Sequence, residues 1–304
     1  MRTLTLQSPA KINLMLAITG RRADGFHDLV SVVAPLAWGD TLVVEEVAAA
    51  NHERSAFTLT CDDPGVPIDQ ANLILKAAEA FRAATGWLGG ARFALTKRIP
   101  VGAGLGGGSS NAATALRALN TLAATPLDAV ELARLAASVG SDCALFLHDG
   151  PVVMRGRGDR VEPLPERAAA RLRGRGLLVF KPAFAISTAW AYGRLVAAAP
   201  GGYATATAAE ERLARWMDVA GDRSRDPIAE LVFNNMESAA FAKFPALPLM
   251  LERLLREFGL ATGMSGSGSA CFAFLPDDAP VAEICAAVRR AWGESAFVIQ
   301  THLQ

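Results

Sequence analysis

Cysteine is scarce in this chain, and the four present, Cys61, Cys143, Cys271 and Cys285, stand far apart with no Cys-x-x-Cys spacing. That excludes a disulfide framework or thiolate zinc site as the organising feature and predicts buried or reduced thiols. Net charge is lacking too: 30 Lys and Arg balance 30 Asp and Glu, which leaves no footprint for nucleic acid. No apolar run approaches the ~20 residues that a membrane-spanning helix needs. The first eight residues alternate and offer no signal-peptide core. No short repeat or long low-complexity tract is visible. These absences predict a soluble, cytoplasmic protein with no nucleic-acid or membrane partner, and leave the oligomeric state open. What is present is 304 residues, 51% hydrophobic and 20% charged, enough core for two domains or one large one.

The chain is organised around Pro100–Asn111, Pro-Val-Gly-Ala-Gly-Leu-Gly-Gly-Gly-Ser-Ser-Asn. A strand-like run, Ala91–Arg98, precedes it and a helical pattern, Asn111–Ala123, follows. Glycines let a loop curl so that its N–H groups point at oxygen. The first N–H groups of a helix have no internal partner, and the helix dipole favours an anion there. A tight turn alone needs one or two glycines, so the loop reads as a phosphate cradle. Ser109 and Ser110 are natural N-caps, with hydroxyls that can reach phosphate or a metal. The Walker spelling fails because Gly108 stands where lysine is required. Gly102, Gly104 and Gly107 satisfy the dinucleotide spelling, but residues 111–124 are helical where a second strand should follow, against a nicotinamide or flavin site.

In order, Arg2–Gln7 alternates as a strand, Ser8-Pro9-Ala10 interrupts it, and Lys11–Leu16 resumes with Lys11 and Asn13 on one face. Those two residues either face water or line a cleft. Gly20–His27 is a polar loop ending in Phe26 and His27, which alone would be packing residues. Asp28–Leu36 and Thr41–Val47 read as strands parted by a turn at Trp38-Gly39-Asp40, and Phe57–Cys61 as another. Asn72–Ala84 is helical. Asp128 and Glu131 form a capping box for a helix over Ala129–Val139, with Gly140 as its C′ residue. Asp142 follows, either a turn former or a carboxylate aimed into a cleft.

Val152–Met154 and Arg160–Leu164 predict a hairpin, and the basic Arg167–Arg175 a solvated helix face. Leu177–Phe180 is a buried strand, followed by a helix entered near Ser187-Thr188. The 200–226 segment reads as a variable loop with one helix, Ala208–Val219. Ile228–Glu237 and Pro245–Glu257 read as helices. A second glycine-serine loop, Thr262–Ser269, leads into a strand, Ala270–Leu275, a helix, Pro280–Trp292, and a strand, Ala296–Thr301. This order suggests a split βαβ, ferredoxin-like layer.

Pro9-Ala10-Lys11-Ile12-Asn13-Leu14, the loop Gly102–Ser110 and Gly263–Ser269 resemble, in order and spacing, the three motifs of the small-molecule kinases named after galactose, homoserine, mevalonate and phosphomevalonate. Pro-Ala-Lys-Ile-Asn-Leu, Arg-Ala-Asp-Gly-Phe-His, Gly-Leu-Gly-Gly-Gly-Ser-Ser-Asn-Ala-Ala and Gly-Ser-Asp-Cys narrow the resemblance to the 4-diphosphocytidyl-2-C-methyl-D-erythritol kinases, which serve non-mevalonate isoprenoid synthesis. The resemblance implies an α+β, two-domain kinase fold. Residues 1–165 would form an N-terminal ribosomal-protein-S5-like, ATP-binding domain, and 166–304 a C-terminal ferredoxin-like domain.

It also implies roles. Asp142 would accept the proton of the substrate 2-hydroxyl with Lys11 beside it, the ammonium keeping the carboxylate ionised. ATP phosphates would lie along Pro100, Val101, Gly102, Ala103, Gly104, Leu105, Gly106, Gly107, Gly108, Ser109 and Ser110, with Asn72 and Lys97 on the adenine or ribose side. Gly266–Ser269 would close over the transferred phosphate or shape the loop. Mg2+ would accompany ATP, held mostly by phosphate and water with Ser109 or Ser110 as a candidate ligand; no carboxylate metal site is expected. A substrate carrying cytidine diphosphate would be met by Asn13, Phe26, His27, Thr188 and Tyr192. The family commonly has tyrosine where Phe26 stands, so stacking survives here but a phenol contact does not. The competing readings are a sister kinase acting on homoserine or a mevalonate derivative, a non-catalytic nucleotide sensor, and a Rossmann oxidoreductase.

Overall fold

The computed structural model describes residues 2–47, 56–218 and 228–304. These group into two compact units: one comprises the chain up to Ala10, Trp38–Val101 and Gly106–Asp149, the other Lys11–Ala37, Gly102–Leu105 and Gly150–Gln304. Two long strands contribute to both, β1 (Thr3–Arg21) and β2 (His27–Val47). The breaks predicted at Ser8-Pro9-Ala10 and at Trp38-Gly39-Asp40 do not occur. A Cβ at Gly39 would lie 2.1 Å from Ser8 O and 2.7 Å from Pro9 Cα. Glycine allows this close backbone approach, so residues that look like turn formers stay within the strands.

In the first unit β3 (Phe57–Cys61) runs parallel to β4 (Gly90–Thr96). β4 pairs antiparallel with Thr41–Val47 of β2. Leu42, Val44, Phe57, Leu59, Phe93 and Leu95 are buried, at the period of two that strands impose. The helices are α1 (Leu73–Thr85), α2 (Gly107–Leu122) and α3 (Ala129–Val139). α1 and α2 pack together, α2 presenting mostly alanine and leucine. The capping box of α3 forms as predicted: Glu131 N–H donates to Asp128 Oδ1 (2.8 Å) and Asp128 N–H to Glu131 Oε2 (3.0 Å). Gly140 closes α3 in extended conformation rather than the left-handed one. A short 3-10 turn, Ala144–Leu147, follows.

In the second unit the predicted hairpin is β5 (Val152–Gly156) with β6 (Arg160–Pro163), and β5 also pairs with Leu29–Val33 of β2. The basic stretch holds only a one-turn helix, α4 (Glu166–Ala169). It is not a solvated helical face, because Ala168, Ala169 and Leu172 turn inward. Next come β7 (Gly176–Lys181), α5 (Thr188–Ala197), α6 (Ala206–Asp218), α7 (Ile228–Leu231) and β8 (Phe233–Asn234). Then follow α8 (Glu237–Lys243), α9 (Ala246–Phe258), β9 (Thr262–Met264), β10 (Cys271–Phe274), α10 (Val281–Trp292) and β11 (Phe297–His302). Of the 200–226 segment, residues 219–226 lie outside the described residues.

Four strands form an antiparallel sheet in the order β11-β7-β10-β9, the arrangement expected of a split βαβ layer. Leu178, Phe180, Cys271 and Ala273 of this sheet share a core with Leu247, Met250 and Leu254 of α9 and Ile284 and Val288 of α10. Two expectations fail here. Residues 228–237 are helix, strand and helix start rather than one helix. Asn234 donates to Met264 O and Gly266 O (2.8 Å each) and accepts from Met236 N–H (3.0 Å), which holds the break. Thr262–Met264 is a strand, paired with Cys271–Ala273, rather than loop.

Candidate active site

The glycine loop alternates two kinds of residue. Gly102, Gly104 and Gly106 have φ of +65°, +79° and +72°, a region that side chains resist. Between them Ala103 and Leu105 are buried pegs. The carbonyls of this turn are held by protein donors: Ala103 O by Ala270 N–H (3.0 Å), Leu105 O by Lys11 N–H (3.0 Å), and Gly104 O by Lys11 Nζ and Ser265 Oγ (2.9 Å each). α2 begins at Gly107, four residues earlier than its apolar pattern predicts. Its N-cap is Gly106, with no capping side chain, so Ser109 and Ser110 are not caps. The first-turn amides therefore lack both intrahelical and side-chain acceptors, where the helix dipole favours an anion. Val101 and Gly108 are exposed.

Beneath this helix start lies a hub that the sequence hides. Asp40 is fully buried and accepts from Lys97 Nζ (2.6 Å) and Asn111 Nδ2 (2.9 Å) through Oδ2. Its Oδ1 accepts the amides of Arg98 (2.7 Å) and Ile99 (2.8 Å). Asn111 also donates to Ser8 Oγ (2.8 Å), which donates to Ser110 Oγ (2.8 Å). Four donors on one carboxylate satisfy a buried charge and fix the strand exit, Lys97 and α2 relative to one another. Lys97 lies at the helix start, its Nζ 3.0 Å from where a Cβ of Gly107 would stand. Asn72 is the α1 N-cap: its Oδ1 accepts from Ile74 N–H (2.9 Å) and its Nδ2 donates to Pro67 O (2.7 Å).

After α3, Asp142 is half-buried, followed by buried Cys143. Burial pushes the Cys143 thiol up to about 11, against a hydrogen bond with Ser109. It is a neutral packing group, consistent with the free thiols expected.

In the second unit Lys11 and Asn13 are buried, so that face of β1 does not meet water. Lys11 Nζ donates to Asn13 Oδ1 (2.6 Å), and Asn13 Nδ2 to Ser31 Oγ (3.0 Å). The second glycine-serine loop uses its serines one by one. Ser265 accepts from Asn13 N–H (3.2 Å) and donates to Gly104 O; Ser267 bonds Thr188 Oγ1 (2.9 Å); Ser269 donates to Phe184 O (2.6 Å). Gly104 has no room for a side chain, since a Cβ would lie 2.3 Å from Ser265 O. Met264 N–H donates to Glu237 Oε1 (2.9 Å). Burial pushes this carboxyl up to about 7 against that bond.

Of the residues expected on the base of a second substrate, His27 and Tyr192 come together. His27 packs on Tyr192 (centroids 4.6 Å apart) and on Tyr203 (6.0 Å). Its pKa is lowered, chiefly by burial and further by the Arg21 charge. His27 Nε2 is buried without a hydrogen-bond partner, as is the Tyr203 hydroxyl. Phe26 is 52% exposed, with the Arg157 guanidinium 5.3 Å above its ring.

Comparison with known proteins fits this geometry. Family models match at residues 72–150 (GHMP kinases N terminal domain) and 211–294 (GHMP kinases C terminal). The 4-diphosphocytidyl-2-C-methyl-D-erythritol kinase of Gloeobacter violaceus is 35% identical, over 99% of this chain and 95% of its own. The chain belongs to the GHMP kinases, among the 4-diphosphocytidyl-2-C-methyl-D-erythritol kinases. A crystal structure of 4-(cytidine 5'-diphospho)-2C-methyl-D-erythritol kinase superposes with a TM-score of 0.73 at 34% identity, covering 98% of this chain and 99% of that one. The mevalonate kinase of Methanococcus jannaschii shares the fold, with a TM-score of 0.74 and full coverage of this chain and 99% of that one, but only 13% identity.

This kinase is thus an ATP-dependent small-molecule phosphotransferase with the two-domain α+β fold of its family. Its first unit gathers Asn72, Lys97, Pro100, Val101, Gly106–Ser110 and Asp142; its second gathers Lys11, Asn13, Phe26, His27, Gly102–Leu105, Thr188 and Tyr192. The sequence marks Asp40 only as a turn residue and Ser265 only as part of the second glycine-serine loop, and it gives Tyr203 no sign of a partner in the His27 group. The one signal for Asp40 is a carboxylate set between apolar strand runs. A cavity of 620 Å³ lined by Arg173, Arg175, Leu260 and Phe274 contains none of the site residues. Among the described residues no helix is long and apolar enough to cross a membrane.

Proposed function

We propose that this kinase transfers the γ-phosphoryl group of ATP to the 2-hydroxyl of 4-diphosphocytidyl-2-C-methyl-D-erythritol. The reading is carried by the 35% identity over nearly the whole chain to a kinase of that name, against 13% for a mevalonate kinase of the same fold. The unpartnered Nε2 of His27, within a cluster of aromatic rings of the kind that stacks on a flat base, supports it. Asn13, Phe26, Thr188 and Tyr192 complete the substrate set, and the loop from Pro100 to Ser110 takes the phosphates, with Asn72 and Lys97 on the nucleoside side. Residues 1–165 and 166–304 are our proposed domains; the two family matches fall one on each side of that division.

In the reaction the hydroxyl oxygen forms a bond to the γ-phosphorus while the bond to the β–γ bridging oxygen breaks, giving ADP. Asp142 takes the hydroxyl proton. Strong basicity is not needed for this step, because in a loose transition state the proton leaves late and positioning dominates. Lys11 contributes fixed positive charge, its ammonium oriented by Asn13 Oδ1 and Gly104 O. The chain's own ligand for magnesium would be the hydroxyl of Ser109 or Ser110, with phosphate oxygens as the main ligands. The ion would neutralise phosphate charge.

The test is a coupled ADP assay with the cytidyl alcohol, homoserine and mevalonate as acceptors. ADP formation on the cytidyl alcohol alone, lowered at least ~100-fold in Asp142→Asn, is expected. Turnover on another acceptor instead assigns a sister activity. An unchanged Asp142→Asn rate removes the base role, and nucleotide binding without turnover on any acceptor favours the sensor reading.

A further inference from the structure

The aromatic group around His27 contains one polar atom that neither packing nor the proposed chemistry uses. Tyr203 lies in the turn before α6, tied down by its backbone: Tyr203 N–H donates to Pro200 O (3.1 Å), Ala204 N–H to Ile18 O (3.0 Å), and Asn235 Nδ2 holds Gly202 O (3.0 Å). Nothing in that anchoring needs the phenol oxygen. A phenylalanine would fill the same space, yet the chain keeps a hydroxyl buried with no partner. Leaving a buried hydroxyl unpaired is costly, and such a group calls for an explanation. The neighbouring side chain carries the same defect, since His27 Nε2 is also buried and unpartnered. The two rings are 6.0 Å apart and inclined by 43°, so two unmatched polar groups share one aromatic cluster. Tyr192 is the other ring packed on His27, its centroid 4.6 Å away.

We propose that Tyr203 is a specificity-determining residue for the cytidine moiety, its hydroxyl supplying a second polar contact to the nucleoside beside His27. The inference rests on the substrate reading given above. A flat base with ring nitrogen, carbonyl and amine on one edge matches two polar groups carried on neighbouring rings, each able to donate or accept. Such a pair also rejects analogues lacking the edge, because both protein groups would again be left unpaired.

Tyr203→Phe removes the oxygen and keeps the ring. The expected result is a rise of about tenfold in KM for the cytidyl substrate, the size of one neutral hydrogen bond, with KM for ATP and kcat unchanged. Tm should hold or rise, since an unmatched buried group has gone. An unchanged KM for the cytidyl substrate overturns the assignment. So do equal rises in both KM values or a fall in Tm, which would make Tyr203 a packing residue. Calorimetry with cytidine diphosphate separates this from the substrate reading. If wild type does not turn over the cytidyl alcohol but binds the diphosphate about tenfold more tightly than Tyr203→Phe, the reaction is misassigned and Tyr203 still reads cytidine. Equal binding by both proteins overturns the role of Tyr203.

Discussion

Replacing Glu237 by glutamine should change how stability depends on pH more than it changes stability at any one pH. The carboxyl sits in the first turn of α8 and accepts Met264 N–H. Burial raises it from 4.5 to about 7, and its charge in turn helps push the buried Cys271 thiol upward. A carboxyl raised in the folded state is protonated there while the unfolded chain has already released its proton. Its contribution to stability is therefore fully present below about 4.5 and is lost as pH rises through about 7. Between pH 5 and pH 8 the loss amounts to about 2.5 kcal/mol. Glutamine keeps an oxygen for Met264 N–H but has no proton to lose, so its contribution is flat. Urea unfolding of both proteins at pH 5, 6, 7 and 8 isolates the effect, because groups common to both cancel in the difference. The stability of wild type relative to Glu237→Gln should fall steadily from pH 5 to pH 8. A difference that stays constant across that range would refute the reasoning and mean that Glu237 ionises as it does in water.

Asp40→Ala should be among the most damaging single changes. It strips the partner from Lys97, whose side chain is only 6% exposed, and an unpaired buried charge costs about 3–5 kcal/mol; a loss below about 1 kcal/mol in urea unfolding would contradict the hub. Gly104→Ala places a methyl against Ser265 O at a positive φ; KM for ATP should rise at least ~10-fold, with about 1–3 kcal/mol of strain, and wild-type KM would show that the loop yields. Asn72→Ala removes a helix cap and should cost about 1 kcal/mol. A rise in KM for ATP beyond that for the alcohol would support its proposed place beside the nucleoside.

Local chemistry was legible in the sequence; distant pairing was not. Asp128 and Glu131 announce a capping box because cap and partner stand three residues apart. The glycines at 102, 104 and 106 announce a special backbone because few other residues tolerate it. Asp40 reads as a turn former because its donors come from residues 57 to 71 positions away. The continuity of β1 through Pro9 depends on Gly39, thirty residues on. β9 is three residues long, too short for alternation to register, and exists because β10 pairs with it. The apolar pattern places the start of α2 too late because glycine and serine carry no apolar signal, although their backbone is already helical.

The serines at 265, 267 and 269 each hold a different partner, with glycine between them. That spacing makes the loop intolerant of changes in length rather than of changes in composition. Serine to alanine disturbs one bond at 267 or 269 and two at 265. Adding or deleting a single residue within the stretch shifts glycine into serine places and releases several partners at once. Relatives that keep these contacts should vary freely in many surface loops, yet carry this one at constant length.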